Sequence, residues 1–371
     1  MSNSELPKGW RECKLGDVLN FGNGKSRPKI EGEYPIYGGN GILGYSNEFN
    51  YTDETIVIGR VGAYCGSVYY EINPIWVSDN ALSAKPKKDN CSKFLYYFLR
   101  YIDLNSHAGG SSHPLITQSL LNSLDIRICT SFHEQKAIAE VLSSLDDKID
   151  LLHQQNQTLE DMAQTLFREW FIEKADEGWE ITTLGSLGKV ITGKTPSTKI
   201  ESYWGDEISF VTPTDFKYYG KFSNYSDRCL SGSGVEKVKK SLIPKNSILV
   251  TCIGSDMGKI VISQKECVTN QQINSLIVNN PIMVEYIYEY LKYSYPLLRA
   301  IAMGGTTMPI INKTDFENIE IFLPEDHLIK EFHNIAYSFS EKILQNTEQI
   351  KTLEQTRDTL LPKLMSGQVR V

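Results

Sequence analysis

The chain has 371 residues, 41% of them hydrophobic and 22% charged, with a formal net charge of −7. That length predicts two or three domains with sizeable cores. The polar start MSNSELPKGW, the absence of an apolar run of spanning length and seven Cys without a C-x-x-C pair exclude a secretory leader, a membrane span, a disulfide framework and a zinc site, and predict a cytoplasmic protein.

In chain order, the first segment opens on Gly9-Trp10 and Leu15-Gly16 and reaches a glycine-rich turn, Gly22-Asn23-Gly24-Lys25-Ser26. Short β-branched and aromatic runs follow, Tyr34 to Tyr37, Thr55 to Ile58 and Ser67 to Tyr70, and predict strands of a mixed sheet. Lys93 to Arg100 predicts a buried helix. The segment closes on GGSSHPLI, beginning at Gly109, and a strand ending near Ile128.

A heptad seam then runs from Ile138 through Leu142, Leu145, Ile149, Leu152, Asn156, Leu159, Ala163 and Leu166 to Trp170. This is the pattern of a helix packed along its length on another helix, and at 1.5 Å per residue it spans about 50 Å. Residues 131–172 carry −5 of the net charge, so the rest of the chain is close to neutral and a local basic face for DNA is not excluded.

After the seam the programme repeats. Gly178-Trp179, Leu184-Gly185 and Gly193-Lys194-Thr195 stand 169 residues after their counterparts. Gly254 and Gly258 stand 192 after Gly62 and Gly66, and GGTTMPII stands 195 after GGSSHPLI. Thr352-Leu353-Glu354 stands 194 after Thr158-Leu159-Glu160. An ordered series of this kind marks a duplication. The change of offset places about 23 extra residues in the second unit, around Trp204 to Val235. Frames are shared while middles differ, as expected of two units that recognise two versions of one kind of ligand.

The second seam reads Phe332, Ala336, Phe339, Ile343, Asn346, Ile350, Leu353, Arg357, Leu360, Leu364. Centring the two matched helices on each other as an antiparallel pair places residue n opposite residue 502 − n, so Asn156 faces Asn346 and both fix the register. A slip of one heptad would bury each amide against apolar partners at roughly 1–3 kcal/mol. Arg357 falls opposite Leu145, and its head is expected to reach water. The predicted fold is α+β: two homologous mixed α/β units, 1–130 and 173–325, separated by two long antiparallel coiled-coil helices, 131–172 and 326–371, with a pseudo-two-fold axis. A coiled coil between two copies of the chain is the competing arrangement.

Catalytic patterns fail on inspection. Gly188 to Thr195 matches the P-loop spelling, but Pro196 follows at once and the counterpart of Gly188 is Leu19. Asn73-Pro74-Ile75-Trp76 lacks the second Pro of an amino-methyltransferase signature, and the six His have no metal-ligand spacing. No intrinsic catalysis, metal or bound cofactor is expected. What remains is a set of polar and aromatic loop residues suited to phosphates and base edges. In the first unit these are Lys25, Arg27, Lys29, Asn40, Arg60, Tyr64, Ser111 and Ser112. In the second they are Lys194, Thr195, Lys217, Tyr218, Tyr219, Ser255, Thr306 and Thr307.

The GW…LG openings, the Gly-Lys turns, YPIYGGNGILGY at 34–45, GRVG at 59–62, the two closing glycine motifs, EQKAIAEVLSSLDDKID at 134–150 and RDTLLPKLMSGQV at 357–369 together resemble the specificity subunit of type I restriction–modification enzymes. The resemblance implies two target-recognition domains that each read one half of a gapped double-stranded DNA site, with the helices setting the gap and docking modification (methyltransferase) subunits. It implies that partner subunits use S-adenosylmethionine, ATP and Mg, and that a restriction/translocase subunit completes the cleaving complex. A coiled-coil scaffold that binds no DNA and a P-loop nucleotide-binding protein are the alternatives.

Overall fold

The computed structural model describes residues 6–28, 31–87, 89–109, 114–254, 257–303 and 310–371. Two compact units are present, Met1–Leu151 with Ile350–Val371, and Leu152–Gln349. These boundaries divide the long helices rather than isolating them. The reason is packing: the ends of each helix are buried in the core of a unit.

In the first unit, Trp10–Lys14 pairs antiparallel with Asp125–Cys129. A four-stranded antiparallel sheet runs in the order Leu19–Asn23, Ala81–Pro86, Thr55–Gly59, Val68–Glu71. Its strand TIVIG is buried at every position, which is why it reads as a continuous apolar run and not as an alternation. A smaller sheet holds Gly41–Ser46, Tyr34–Gly38 and Trp76–Val77, the last two parallel. The helix Ser92–Tyr101 buries Phe94, Leu95, Tyr97, Phe98 and Leu99, as the sequence predicts.

The second unit repeats this plan. Glu180–Thr183 pairs with Glu320–Leu323. The strands Gly188–Thr192, Ile273–Val278, Ile248–Thr251 and Ile260–Ser263 reproduce the four-stranded order, and the short edge strand Phe222–Ser223 is added. A second sheet contains the parallel pair Ile208–Val211 and Cys267–Thr269. The helix Val284–Tyr293 stands 192 residues after Ser92–Tyr101. The extra chain forms Phe222–Ser223, Cys229–Leu230 and the short helix Gly232–Lys237.

The heptad seams form two continuous helices, Phe132–Arg168, which ends in a π turn at Glu169–Glu173, and Asp326–Met365. Within the first unit Ile138 and Leu142 share a core with Leu360, Leu364 and Met365, so the two helices run antiparallel. Within the second unit Phe167 and Phe171 pack on Phe332 with ring centres 6.3 and 5.2 Å apart, again antiparallel. Burying each such ring contributes roughly 1.5–3 kcal/mol. Asn346, fully buried, donates to Asn156 Oδ1 at 2.8 Å and to Gln155 Oε1 at 2.9 Å, so the amide register is observed.

Arg357 only partly reaches water: its side chain is 17% exposed, its Nη1 donates to Asp146 Oδ1 at 2.9 Å and its Nε to Asp358 Oδ1 at 2.9 Å on the exposed side. Asp146 stands beside Leu145, and its carboxylate gives the guanidinium a partner at the helix interface, which makes burial tolerable.

Candidate nucleic-acid interface

The glycine-rich turns dock in the same way in both units. In the first, the Gly24 amide donates to the Ala81 carbonyl and the Lys25 amide to that of Val77. In the second, the Gly193 amide donates to Ile273 and the Lys194 amide to Thr269. A β-carbon on Gly193 would lie 2.1 Å from the Asn270 carbonyl oxygen, so this close approach requires glycine. The turns therefore deliver Lys25 and Lys194, both exposed, to the end of a parallel strand pair.

Around that end in the first unit, the Gly38–Gly41 turn meets the loop after Thr55–Gly59. A β-carbon on Gly59 would lie 3.0 Å from the Gly39 carbonyl oxygen and 2.3 Å from that of Tyr64. The Arg60 amide donates to the Asn80 carbonyl at 3.0 Å, and the Tyr69 hydroxyl to Gly39 at 3.2 Å. Asn40, Arg60 and Tyr64 thus belong to one loop cluster. Asn40 is exposed, Tyr64 is half exposed and Arg60 is half-buried, its Nε buried without a hydrogen-bond partner among the described residues. Arg27 lies over Gly44 instead: a β-carbon there would stand 2.7 Å from its guanidinium. Lys29, Ser111 and Ser112 lie outside the described residues.

In the second unit, Thr195 Oγ1 donates to Gln271 Oε1 at 2.7 Å, which ties that hydroxyl down. Lys217 and Tyr218 are exposed on a turn led by Asp215. Asp215, 1% exposed, accepts from the Thr212 amide and hydroxyl at 2.7 Å each and from the Asp227 amide at 2.9 Å. Tyr219 is half-buried, its hydroxyl donates to the Tyr225 carbonyl, and burial raises its pKa, so it is a neutral donor at any working pH. Ser255, Thr306 and Thr307 lie outside the described residues.

Sequence reasoning missed the exposed apolar side chains of the first unit's hairpin, Ile42, Leu43 and Tyr45, and the exposed Tyr225 of the second. It also missed Asp215, whose carboxylate ties the Thr212 and Asp227 amides together. The P-loop spelling does not form a P-loop: Gly188–Thr192 is a strand paired with Ile273–Val278, and the next element is a 3-10 turn at Glu201–Tyr203. Among the described residues no group of three His, Cys, Asp or Glu could hold a metal ion, and no helix is long and apolar enough to cross a membrane.

The profile of the family described as "Type I restriction modification DNA specificity domain" matches residues 7–161 and again 176–355. The chain belongs to that family. A HindI specificity subunit of Haemophilus influenzae is 29% identical over 343 residues, 72% of this chain and 74% of the relative. The MjaIX specificity subunit of Methanocaldococcus jannaschii is 26% identical over 416 residues, 99% of this chain and 95% of the relative. A crystal structure of a type I restriction–modification S subunit from M. genitalium superposes with a TM-score of 0.66 at 19% identity, over 98% of this chain and 97% of that one, and so shares the fold.

The chain is thus a DNA-specificity subunit of a type I restriction–modification complex, the component that is not itself catalytic. Family membership supports DNA and the other subunits of such a system as its partners. The twofold match also makes the two loop-bearing strand ends equivalent positions of one repeated domain.

Proposed function

We propose that each unit reads one half of a bipartite, gapped double-stranded DNA site, and that the helix pair sets the gap and docks the modification subunits. The observation that carries this reading is the repeated frame with unlike loops at the same strand ends: Gly39–Asn40 and Arg60 in one unit, Lys217–Tyr219 and the extra chain in the other. A duplicated reader of one sequence would need no such divergence. In this reading Lys25, Arg27, Lys29, Asn40, Arg60, Tyr64, Ser111 and Ser112 contact one half-site. Lys194, Thr195, Lys217, Tyr218, Tyr219, Ser255, Thr306 and Thr307 contact the other. S-adenosylmethionine, ATP and Mg are used by the partner subunits, and the complex works in the cytoplasm.

The test is an exchange. Residues 1–130 are replaced by those of a relative with another sequence preference, the chain is assembled with its modification subunits, and methylated adenines are mapped. One half of the methylated sequence changes and the other half stays. A change in both halves ends the two-reader reading.

A further inference from the structure

The segment of the second unit without a counterpart in the first holds an arrangement outside the residues named above. Arg228 directly precedes the strand Cys229–Leu230, and its carbonyl accepts from the Phe210 amide at 2.9 Å. Its guanidinium carbon lies 3.5 Å from the centre of the Trp204 ring, the contact distance of two flat groups lying face to face. Trp204 is itself fixed: its Nε1 donates to the Ser197 carbonyl at 3.4 Å, and its ring stands edge-on to buried Phe210 at 5.2 Å and 88°.

Stacking occupies the face of a guanidinium and leaves its N–H donors around the rim. Arg228 is exposed, and no ion pair among the described residues uses it. An exposed arginine ordinarily loses rotamer freedom when it binds. Here the platform does the ordering before any ligand arrives. The Asp215 clamp, which holds Asp227, also joins this loop to the turn carrying Lys217 and Tyr218.

We propose that Arg228 is a specificity-determining residue: a fork held on Trp204 that reads the paired acceptors of a guanine edge in the major groove. This inference rests on the DNA-reading function proposed above. A phosphate also accepts a bidentate fork, but its contact carries no sequence information, and the test below separates the two. A planar fork held still is suited to two acceptors at fixed spacing, and guanine O6 and N7 are the base edge that presents such a pair.

The test begins with the wild-type chain and its modification subunits, whose methylated site is mapped first. If no sequence is methylated or bound, the DNA-reading function fails, and this inference fails with it by a separate observation. With the site known, competition binding at one fixed salt concentration uses duplexes in which each guanine of the half-site read by residues 173–325 is replaced in turn by 7-deazaguanine, which lacks the N7 acceptor, or by adenine. For the wild type, at least one guanine is sensitive to loss of N7, and adenine there weakens binding roughly 5- to 150-fold. For Arg228→Ala and Arg228→Lys that penalty falls to near unity while the other positions keep theirs. Thermal unfolding of both variants, unchanged from wild type, shows that the chain still folds. Three outcomes overturn the proposal: no guanine in that half-site; an undiminished penalty in Arg228→Ala with all duplexes weakened alike, the signature of a phosphate contact; or a full penalty retained by Arg228→Lys, which would show that a point charge suffices and no planar fork is needed.

Discussion

The helices Ser92–Tyr101 and Val284–Tyr293 occupy the same place in the two units, yet each is fixed to the long helices by different chemistry. In the first unit Asp146 collects the contacts: the Tyr97 hydroxyl donates to it at 2.6 Å, Arg357 at 2.9 Å, and Arg100 stands 3.6 Å away. The counterpart of Asp146 is Ser340, whose hydroxyl donates to Glu285 at 2.7 Å, and the counterpart of Arg357 is Ala163. Lys292, the counterpart of Arg100, reaches Glu160 at 3.0 Å instead. Deeper still, Lys221 pairs with Glu285 at 2.7 Å and Glu289 at 3.5 Å, all three buried. Duplication kept the backbone and the apolar positions and rewired the polar ones, so the two joints are not interchangeable. The first sits at the edge of water; the second adds a buried cluster, Lys221 with Glu285 and Glu289.

Breaking the buried cluster has the largest expected effect. Lys221→Met leaves two buried carboxylates unpaired and costs about 3–5 kcal/mol. Hydrogen exchange should show lost protection in Val284–Tyr293 and unchanged protection in Ser92–Tyr101. The triple variant that also replaces Glu285 and Glu289 by Leu recovers most of the loss, because burial of the charges is then no longer required. Equal loss in both helices would mean the joints are not independent.

Asp146→Ala sharpens the comparison from the other side. It removes the acceptor of Tyr97 and one of the two acceptors of Arg357, whose Nε keeps Asp358 at 2.9 Å, at about 1.5–3 kcal/mol, the range for hydrogen bonds to charged groups. The loss should fall on Ser92–Tyr101 alone. The amide pair is weaker: a double-mutant cycle of Asn156→Ala and Asn346→Ala should give a coupling of about 0.5–1.5 kcal/mol.

The smallest effect is a pH dependence confined to the first unit. Arg370 donates to Glu134 at 2.6 and 2.8 Å, and this hydrogen bonding holds the Glu134 carboxyl below its ordinary value of 4.5. A carboxyl depressed in the folded state contributes stability above its unfolded pKa and loses it as pH falls through the folded value. Acid unfolding of Glu134→Gln should therefore lack the part of the wild-type pH dependence that begins near pH 4.5 and extends below it.

What the sequence made legible follows from periodicity and glycine. The heptads gave both helices and the Asn156–Asn346 pair, because a seam position constrains its neighbours every three or four residues. The Gly-Lys turns gave the equivalence of the units, because close backbone approach tolerates no β-carbon there. Contacts without a period stayed hidden. Lys221 meets glutamates 64 and 68 residues away, and nothing in its local sequence marks it as buried. Arg357 looked misplaced on the seam because its partner, Asp146, is on the other helix. Arg228 and Trp204 lie in chain that has no repeat to align, so their stacking left no trace in the pattern.

In the function proposed above, helix length sets the distance between two independent readers. Duplicating residues 152–158 together with the facing 344–350 preserves every heptad and lengthens the pair by about 10 Å, or roughly three base pairs of duplex. Mapping the methylated sequence of this variant, assembled with its modification subunits, should return both half-sites unaltered with about three more base pairs between them. An unchanged gap, or a change in either half-site, would contradict the account.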